Sequence, residues 1–463
     1  MRAVTIILVG VCVGAVAGAV IAGEADTITI RGETYTVVPD EELRALGFEL
    51  PEVAPEENAA LDYLKAIEAY QPPEQDALRD EVLERGWSDE AAPLATYLEE
   101  NEGTLALLER AAGKDACHFP VLIEQGKTLG DDMSLAELHL PSLTHMREFA
   151  RFLVTDGKAR EFEGRYAEAL DAYLMTFRIG SHVAQDPILM NGLLGIACDT
   201  IGMKAIEQCI VRNELDEETL ARAQKGAREL WKQRPSVIVA MGGERVFSME
   251  MTEYLIKNPS WLWKWNNGQP EFGERVWAAM IQTEQGAEQA RKEMRAFWEF
   301  YDDALKLPLR KFLEKEGDFK SRTSFELPPK VVGMVAPGLW KAWPLRLVIV
   351  RMLTPGLWRV RIQYGRADLS WNVLDAMFAL ARYKAKHGEY PETLDEAKGL
   401  MLSDGTDPFT GKALKYRLEE DGSFTIWSVG DNLKDDGGKV GTKHNPWRGD
   451  DHVWNSRLLA GMK

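Results

Sequence analysis

The residues best suited to chemistry lie near the end of the chain, in two short runs rich in Asp, Asn and Gly. The first is Gly430–Gly438 (GDNLKDDGG) and the second begins at Gly449-Asp450-Asp451. Calcium takes about six to eight oxygen ligands, and glycine lets a backbone wrap around the ion. The runs are not an EF-hand, because Leu433 and Asp436 stand where that pattern needs a ligand and a glycine. They predict a calcium site, and the alternative is an acidic surface loop that binds nothing.

The chain lacks the common motifs for other chemistry. It contains no HExxH, no GxSxG and no paired CxxC. Residues Gly405–Ala413 (GTDPFTGKA) are similar to a phosphate loop, but the glycines are spaced too far apart and Ala413 replaces the magnesium-binding hydroxyl. The seven histidines are scattered, and acidic pairs such as Glu99-Glu100 fall on polar helix faces. We therefore assign no catalytic residue.

Composition excludes several classes of partner. The 463 residues carry a net charge of -18, which argues against nucleic acid because phosphates need stripes of Lys and Arg. The 45% of hydrophobic residues can bury a large core, and the length predicts about two or three domains. Cys12 lies in an apolar leader, and Cys117, Cys198 and Cys209 show no metal-ligand spacing, so we expect buried thiols.

A helix and a hairpin must position the acidic runs. A helical pattern of apolar residues ends at Gly388 and Pro391, which are helix-ending residues. Thr393 and Glu396 then have the capping-box spacing of a short second helix. Two alternating runs, residues 414–418 and 424–429, predict a β-hairpin that leads directly into the first acidic run. The residues of the helical pattern are Trp371, Leu374, Phe378, Ala381 and Tyr383.

This order of elements resembles the globular domain of the major pseudopilin of type II secretion. In that family a long helix leads to YP-x-x-L, then to DP[FW]-G-x-P-[LF]-x-Y, a hairpin ending in SxG, and an Asp/Gly-rich calcium loop. A pseudopilin has an apolar helix directly ahead of this domain, whereas the helix here is amphipathic and follows a long upstream region, so assembly into a pilus is not implied. The resemblance covers about the last hundred residues and rests on Tyr390-Pro391, Leu394, Asp407-Pro408-Phe409, Gly411, Leu414, Tyr416, Ser428 and Gly430.

The resemblance implies an α+β fold for residues 366–463 and a structural calcium ion between the loop after SxG and a later pair of aspartates. Such an ion would cross-link two loops and neutralise clustered negative charge. Backbone carbonyls near Val429 and Leu433 would contribute to it. Carried over by position, the side-chain ligands are Asn432, Asp435, Asp450 and Asp451.

Residues 56–365 show a helical pattern almost throughout. The clearest unit is Gly164–Tyr173 (GRYAEALDAY), which resembles the turn and second helix of a tetratricopeptide repeat. Small Ala169 would let a paired helix approach. No second copy follows at the family's period, so we predict one TPR-like pair inside an irregular helical domain rather than a solenoid. The expected buried stripe is Tyr166, Leu170, Tyr173 and Phe177.

Two aromatic or apolar stretches stand out within this domain. Residues 254–277 carry four tryptophans, which we interpret as core or interface packing, with a ligand platform or a membrane-interface belt as the alternatives. Residues 326–359 are apolar but broken by proline and by basic residues, so no uninterrupted spanning length exists there. They are either a buried connector or an exposed apolar patch.

The N-terminal region predicts export. Residues 3–23 form an uncharged apolar run behind Arg2, typical of a cleaved secretory leader or a retained membrane anchor. The charges around the run place the rest of the chain outside the cytoplasm. Within residues 24–55, alternating residues on both sides of Arg31-Gly32 predict a small β-hairpin, followed by a connector.

Together these patterns predict a mainly α protein with four regions: the leader or anchor 1–23, the hairpin and connector 24–55, the helical domain 56–365, and the pseudopilin-like domain 366–463. The expected function is that of a non-enzymatic extracytoplasmic interaction or scaffold protein with a protein partner. Its contact with a membrane would be limited to the N-terminal segment. The alternatives are a secreted hydrolase with carboxylates in a Trp-lined cleft, and an accessory component of a secretion or pilus-like machine.

Overall fold

The structure is a computed structural model, and it describes residues 27–129, 134–261, 278–323, 350, 353–354, 356–439 and 451–461. The described chain is mainly α-helical with small antiparallel sheets near both ends, which confirms the predicted fold class. The helices are α1 (Asp40–Leu46), α2 (Ala59–Ala69), α3 (Asp76–Arg85), α4 (Pro93–Glu100), α5 (Glu102–Ala112), α6 (Pro141–Phe162), α7 (Tyr166–Val183), α8 (Leu189–Arg212), α9 (Glu217–Gln233), α10 (Val237–Lys257), α11 (Glu284–Leu305), α12 (Leu309–Leu313), α13 (Glu316–Thr323), α14 (Leu357–His387), α15 (Leu394–Ala397) and α16 (Ser456–Leu459). The strands are β1 (Thr27–Ile30), β2 (Glu33–Val37), β3 (Leu122–Glu124), β4 (Thr406–Asp407), β5 (Lys412–Ala413), β6 (Lys415–Leu418), β7 (Phe424–Ser428) and β8 (His452–Asn455).

The N-terminal hairpin forms as the sequence predicts. Strands β1 and β2 pair around Arg31 and Gly32, both of which have positive φ as a tight two-residue turn requires. Strand β3, which the sequence analysis did not identify, pairs with β2 as a third strand. Ile28 and Ile30 are buried in the same apolar cluster as α2. This docking gives the hairpin the support that two strands alone lack.

Helices α6, α7 and α8 form a closely packed antiparallel layer. Short connections join them, so consecutive helices run in opposite directions. A Cβ added to Gly195 of α8 would lie 2.5 Å from the carbonyl oxygen of Gly180 on α7, and one added to Gly202 would lie 2.9 Å from that of Tyr173. Glycine at these positions lets the two backbones approach more closely than any other residue would allow.

The predicted stripe on α7 faces this layer. Leu170, Tyr173 and Phe177 are buried and Tyr166 is partly buried in one apolar cluster, and Ala169 is fully buried among them. Glu163, Gly164 and Arg165 make the turn between α6 and α7, where Gly164 has a φ of 77°. The helical pair therefore has the local contacts that its sequence predicts, and the tetratricopeptide resemblance itself stays a prediction.

Helix α14 is the longest described helix and is buried on two faces. One face, including Trp371 and Phe378, packs with α7, α8 and α9, and the ring centroids of Trp371 and Phe177 are 4.6 Å apart. The other face, including Val373 and Met377, packs with α11 and with the C-terminal sheet. The helix ends at Gly388, whose φ of 88° is the left-handed cap that glycine favours. One helix thus belongs to both the helical body and the C-terminal unit.

The C-terminal unit is a three-stranded antiparallel sheet in the order β6-β7-β8, packed on α14. Hairpin β6-β7 was predicted, whereas β8 is an addition that pairs Ser428 with His452. The predicted capping box between Thr393 and Glu396 is present in α15. The Tyr416 hydroxyl donates a 2.7 Å hydrogen bond to the carbonyl oxygen of Pro391, which fastens the sheet to the turn after α14.

Several predictions fall outside the described residues. These are the apolar leader 3–23, most of the Trp cluster of 254–277, most of the apolar stretch 326–359, and Asp450. Among the helices that the structure describes, α8 has the length and composition to cross a membrane, and half of its most apolar stretch is buried inside the fold. A buried core helix meets the same criterion, so α8 gives only weak evidence of a membrane span.

Candidate functional site: the acidic loops of the C-terminal unit

The acidic loop from Gly430 to Gly438 leaves the sheet directly after β7. Gly430, Gly437 and Gly438 have positive φ, and Leu433 has a φ of 59°, which is uncommon for a branched residue. A Cβ on Gly438 would lie 2.7 Å from the indole ring of Trp427, so only glycine lets the loop close over that ring. The sequence therefore holds the loop in a tight, wrapped conformation.

Asp451 joins this loop to the start of β8. Its side-chain Oδ2 accepts hydrogen bonds from the backbone N–H groups of Asp436 at 3.0 Å and Gly438 at 2.9 Å. The residue is only 4% exposed. The two acidic runs are separated along the chain. They meet in space at the buried carboxylate of Asp451.

Two carboxylate oxygens at this junction have no hydrogen-bond partner in the part of the chain that the structure describes. They are Oδ1 of Asp451 and Oδ2 of Asp436, and both atoms are buried. Leaving a buried charged oxygen unpaired is costly, because it has lost its hydration without gaining a partner. The backbone of Asp436 lies within 3.0 Å of the Asp451 carboxylate. Unpartnered carboxylate oxygens are the kind of ligand that a hard cation such as calcium prefers.

The two other predicted ligands that the structure describes are engaged elsewhere. Oδ1 of Asn432 accepts a 2.8 Å hydrogen bond from the backbone N–H of Lys434 and so closes a local turn. Oδ2 of Asp435 lies 2.7 Å from Nζ of Lys415. Oδ1 of Asp435 accepts from the indole N–H of Trp427 at 3.1 Å. The ammonium of Lys415 and then the Trp427 indole lower the pKa of Asp435 to about 2.

The structure thus gathers part of the predicted set and adds one residue. Asp451 is at the junction, and Asp436, which the sequence analysis did not count as a ligand, lies beside it. Asp450 lies outside the described residues. In the described ranges, no three or more His, Cys, Asp or Glu side chains are grouped to hold a metal ion. In the sequence, only its acidic side chain and its position next to Asp435 could have identified Asp436 as a ligand.

Asp431 connects the same loop to α14. Its Oδ1 lies 3.5 Å from Nη2 of Arg366 and 3.9 Å from Nε2 of His452. Asp431 is exposed whereas His452 is buried. The loop is therefore tied to the long helix as well as to the sheet.

Buried acids and open grooves occur elsewhere in the molecule, but in different places. Burial raises the pKa of Glu207 and that of Glu244 to about 8. Two grooves of about 390 and 310 Å³ open between the end of α1, α10 and α11. Arg245 and Asp302 form an ion pair and line both grooves. Neither Glu207 nor Glu244 is among the residues that line these grooves.

No family model, no curated protein and no solved structure matches this chain. The pseudopilin and tetratricopeptide resemblances therefore rest on the sequence motifs alone.

Proposed function

We propose that this chain is a non-enzymatic extracytoplasmic interaction or scaffold protein whose C-terminal unit is stabilised by a calcium ion. The observation that carries the proposal is the pair of buried, unpartnered oxygens on Asp436 and Asp451, placed where two acidic loops meet. The resemblance of residues 366–463 to a pseudopilin domain, with its calcium loop, supports the same conclusion. Export is supported by the apolar run 3–23.

Asp436 and Asp451 would hold the ion from two different segments of the chain. Asp450, adjacent in sequence to Asp451, remains a further candidate ligand. A bound calcium ion supplies positive charge that neutralises these carboxylates and fixes the loop after β7 against β8. The role of the ion would be structural. An ion that binds only the folded protein raises its free energy of unfolding.

A role in binding rather than catalysis is supported by the placement of the acids. Two buried carboxyls with a raised pKa, those of Glu207 and Glu244, lie outside the two open grooves. A hydrolase would need carboxylates that converge on a substrate pocket. The grooves present apolar side chains such as Ile238 and Trp298. Their carboxylates are Glu49, Glu299 and Asp302, of which Asp302 is paired with Arg245.

The test is a thermal melt of the full chain with calcium chloride and with a chelator. At a calcium concentration 100 times Kd, we expect Tm to rise by roughly 3 °C, the shift that about 2.7 kcal/mol produces in a chain of this size. Asp451→Asn should abolish the shift, because the amide keeps one acceptor oxygen for the backbone N–H groups but loses the charge. Exposed Asp395→Asn on α15 is the matched control and should keep the shift. Coincident wild-type curves would exclude the calcium ion.

A further inference from the structure

Two cationic side chains of β6 reach the acidic loop from one side. Nζ of Lys415 lies 2.7 Å from Oδ2 of Asp435, and Nη1 of Arg417 donates a 3.1 Å hydrogen bond to the carbonyl oxygen of Gly437. Residues two apart on a strand share one face, so the two cations lie side by side. A carboxylate and a backbone carbonyl are the same kinds of group that calcium takes as ligands. Strand β6 thus supplies positive charge to Asp435 and Gly437 of the loop, as a metal ion would.

Trp427 provides the platform on which this arrangement rests. It lies directly opposite Lys415 in the β6-β7 register, and its indole N–H donates to Asp435. The Lys415 ammonium lies 6.0 Å from the ring centroid and the Arg417 guanidinium 5.4 Å from it. The electron-rich face of tryptophan attracts cations at these distances. The ring therefore helps to keep Lys415 beside Asp435.

The loop is consequently divided into two halves. At the Asp435 end, a lysine already neutralises the carboxylate, and the two carboxyl oxygens have partners. At the Asp436 end, Oδ2 of Asp436 and Oδ1 of Asp451 have no hydrogen-bond partner among the described residues. The side chains of two adjacent residues thus differ in their partners: both oxygens of Asp435 are engaged, whereas Oδ2 of Asp436 is not.

We infer that Lys415 is a tethered cation that occupies Asp435 in place of a metal ion and competes with calcium for that carboxylate. This inference rests on the proposed calcium role and assigns a regulatory residue to the same site. Calcium bound at Asp436 and Asp451 would gain Asp435 as a ligand only when Lys415 leaves it. Lys415 therefore lowers the calcium affinity, since affinity rises with the negative charge that the ligands supply.

The experiment is a calorimetric titration of calcium chloride into the full-length wild type and into Lys415→Met. The methionine keeps the apolar stem over Trp427 and removes the charge. An exposed ion pair of this kind is weak, so we expect the variant to bind calcium more tightly by a factor of roughly 1.4 to 5. Lys434→Met is the matched control. It removes an equal charge from the same loop at an exposed residue whose ammonium makes no contact with Asp435.

A double variant tests whether Lys415 acts through Asp435. Asp435→Asn combined with Lys415→Met should return the affinity to near the wild-type value, because the carboxylate that the lysine releases is no longer present. If the double variant retained the full gain, Lys415 would act through general electrostatics and the inference would be wrong. The same conclusion would follow if Lys434→Met tightened binding as much as Lys415→Met.

The outcomes separate this inference from the calcium proposal. Tighter binding by Lys415→Met than by the wild type supports both. Binding by Lys415→Met and none by the wild type supports the tethered cation and rejects a resident calcium ion. Equal binding by the two proteins supports calcium and overturns the inference. No binding by either protein overturns both.

Discussion

The indole N–H of Trp454, on the last strand of the C-terminal sheet, donates a 3.2 Å hydrogen bond to the buried carboxyl of Glu207 on α8. Nearby, Nε of Arg212 on α8 donates to the carbonyl oxygen of Leu459 at 3.2 Å. These contacts fasten the sheet to the helical layer, in addition to the shared helix α14. The C-terminal unit therefore packs continuously with the helical layer, and calcium binding is to be measured on the full chain.

Glu207→Gln should stabilise the protein at neutral and alkaline pH. Burial raises the pKa of Glu207 from 4.5 to about 8, and the hydrogen bond from Trp454 and the charge of Lys204 only partly oppose this rise. The folded state thus holds a proton that the unfolded state releases. The contribution of Glu207 to the free energy of unfolding is therefore highest below about pH 4.5. It falls as pH rises towards 8 and is constant above that value. Glutamine keeps an acceptor for Trp454 without this loss.

Urea unfolding at pH 5 and pH 9 measures the effect. The stability of the variant relative to the wild type should increase by up to about 4 kcal/mol between these values. Exposed Glu229→Gln on α9, which forms a long ion pair with Lys225, is the control and should show almost no change. If the free energy of unfolding of Glu207→Gln differed from that of the wild type by the same amount at both pH values, this carboxyl would be ionised in the folded protein.

Protonated His118 should stabilise the folded protein, and this stabilisation should be lost at high pH. Its Nδ1 lies 2.5 Å from Asp186 and its Nε2 lies 3.1 Å from Asp40. Burial alone would lower the pKa of His118, but the two carboxylates outweigh it and raise the pKa to about 9. The stabilisation is therefore fully present below pH 6.5 and lost as pH rises through about 9.

The measurement compares His118→Gln with the wild type by chemical unfolding at pH 6 and pH 10. The cost of the substitution should be larger at pH 6, by about 2 to 3 kcal/mol. Exposed His387→Gln at the end of α14 serves as the control, with little effect at either pH. An equal cost at both values would mean that His118 is neutral between its carboxylates.

A pair of glycine substitutions tests the close contact of α7 and α8. The Cβ of Gly195→Ala would lie 2.5 Å from the Gly180 carbonyl oxygen, so the helices must separate, at about 1 to 3 kcal/mol. A Cβ on Gly242, inside α10, would meet nothing within 4 Å. Gly242→Ala should therefore stabilise the protein by about 0.5 to 1 kcal/mol through its better helix propensity. Effects of the same sign on thermal stability would contradict the packing described for the α7-α8 contact.

Local features were predicted well because their causes lie within a few residues. The Thr393–Glu396 capping box, the left-handed Gly388 cap and the turn at Arg31-Gly32 each depend on side chains close in sequence. The alternating runs of β6 and β7 likewise identify a hairpin without reference to the rest of the chain. Strands β3 and β8 were missed because each is short and becomes a strand only by pairing with a neighbour formed elsewhere.

The sequence by itself determined that the chain is mainly helical, that its tail contains a helix and a hairpin, and that acidic residues concentrate after that hairpin. Only the tertiary structure decided which of those acids are paired and which are not. Asp435 and Asp436 are the same residue type. The carboxylate of Asp435 nevertheless pairs with Lys415, whereas the backbone N–H of Asp436 donates to the buried Asp451. Glu207 has a raised pKa because the fold buries its carboxyl, beside Trp454 from 247 residues away. Charge and burial depend on neighbours in space, and local sequence patterns do not specify those neighbours.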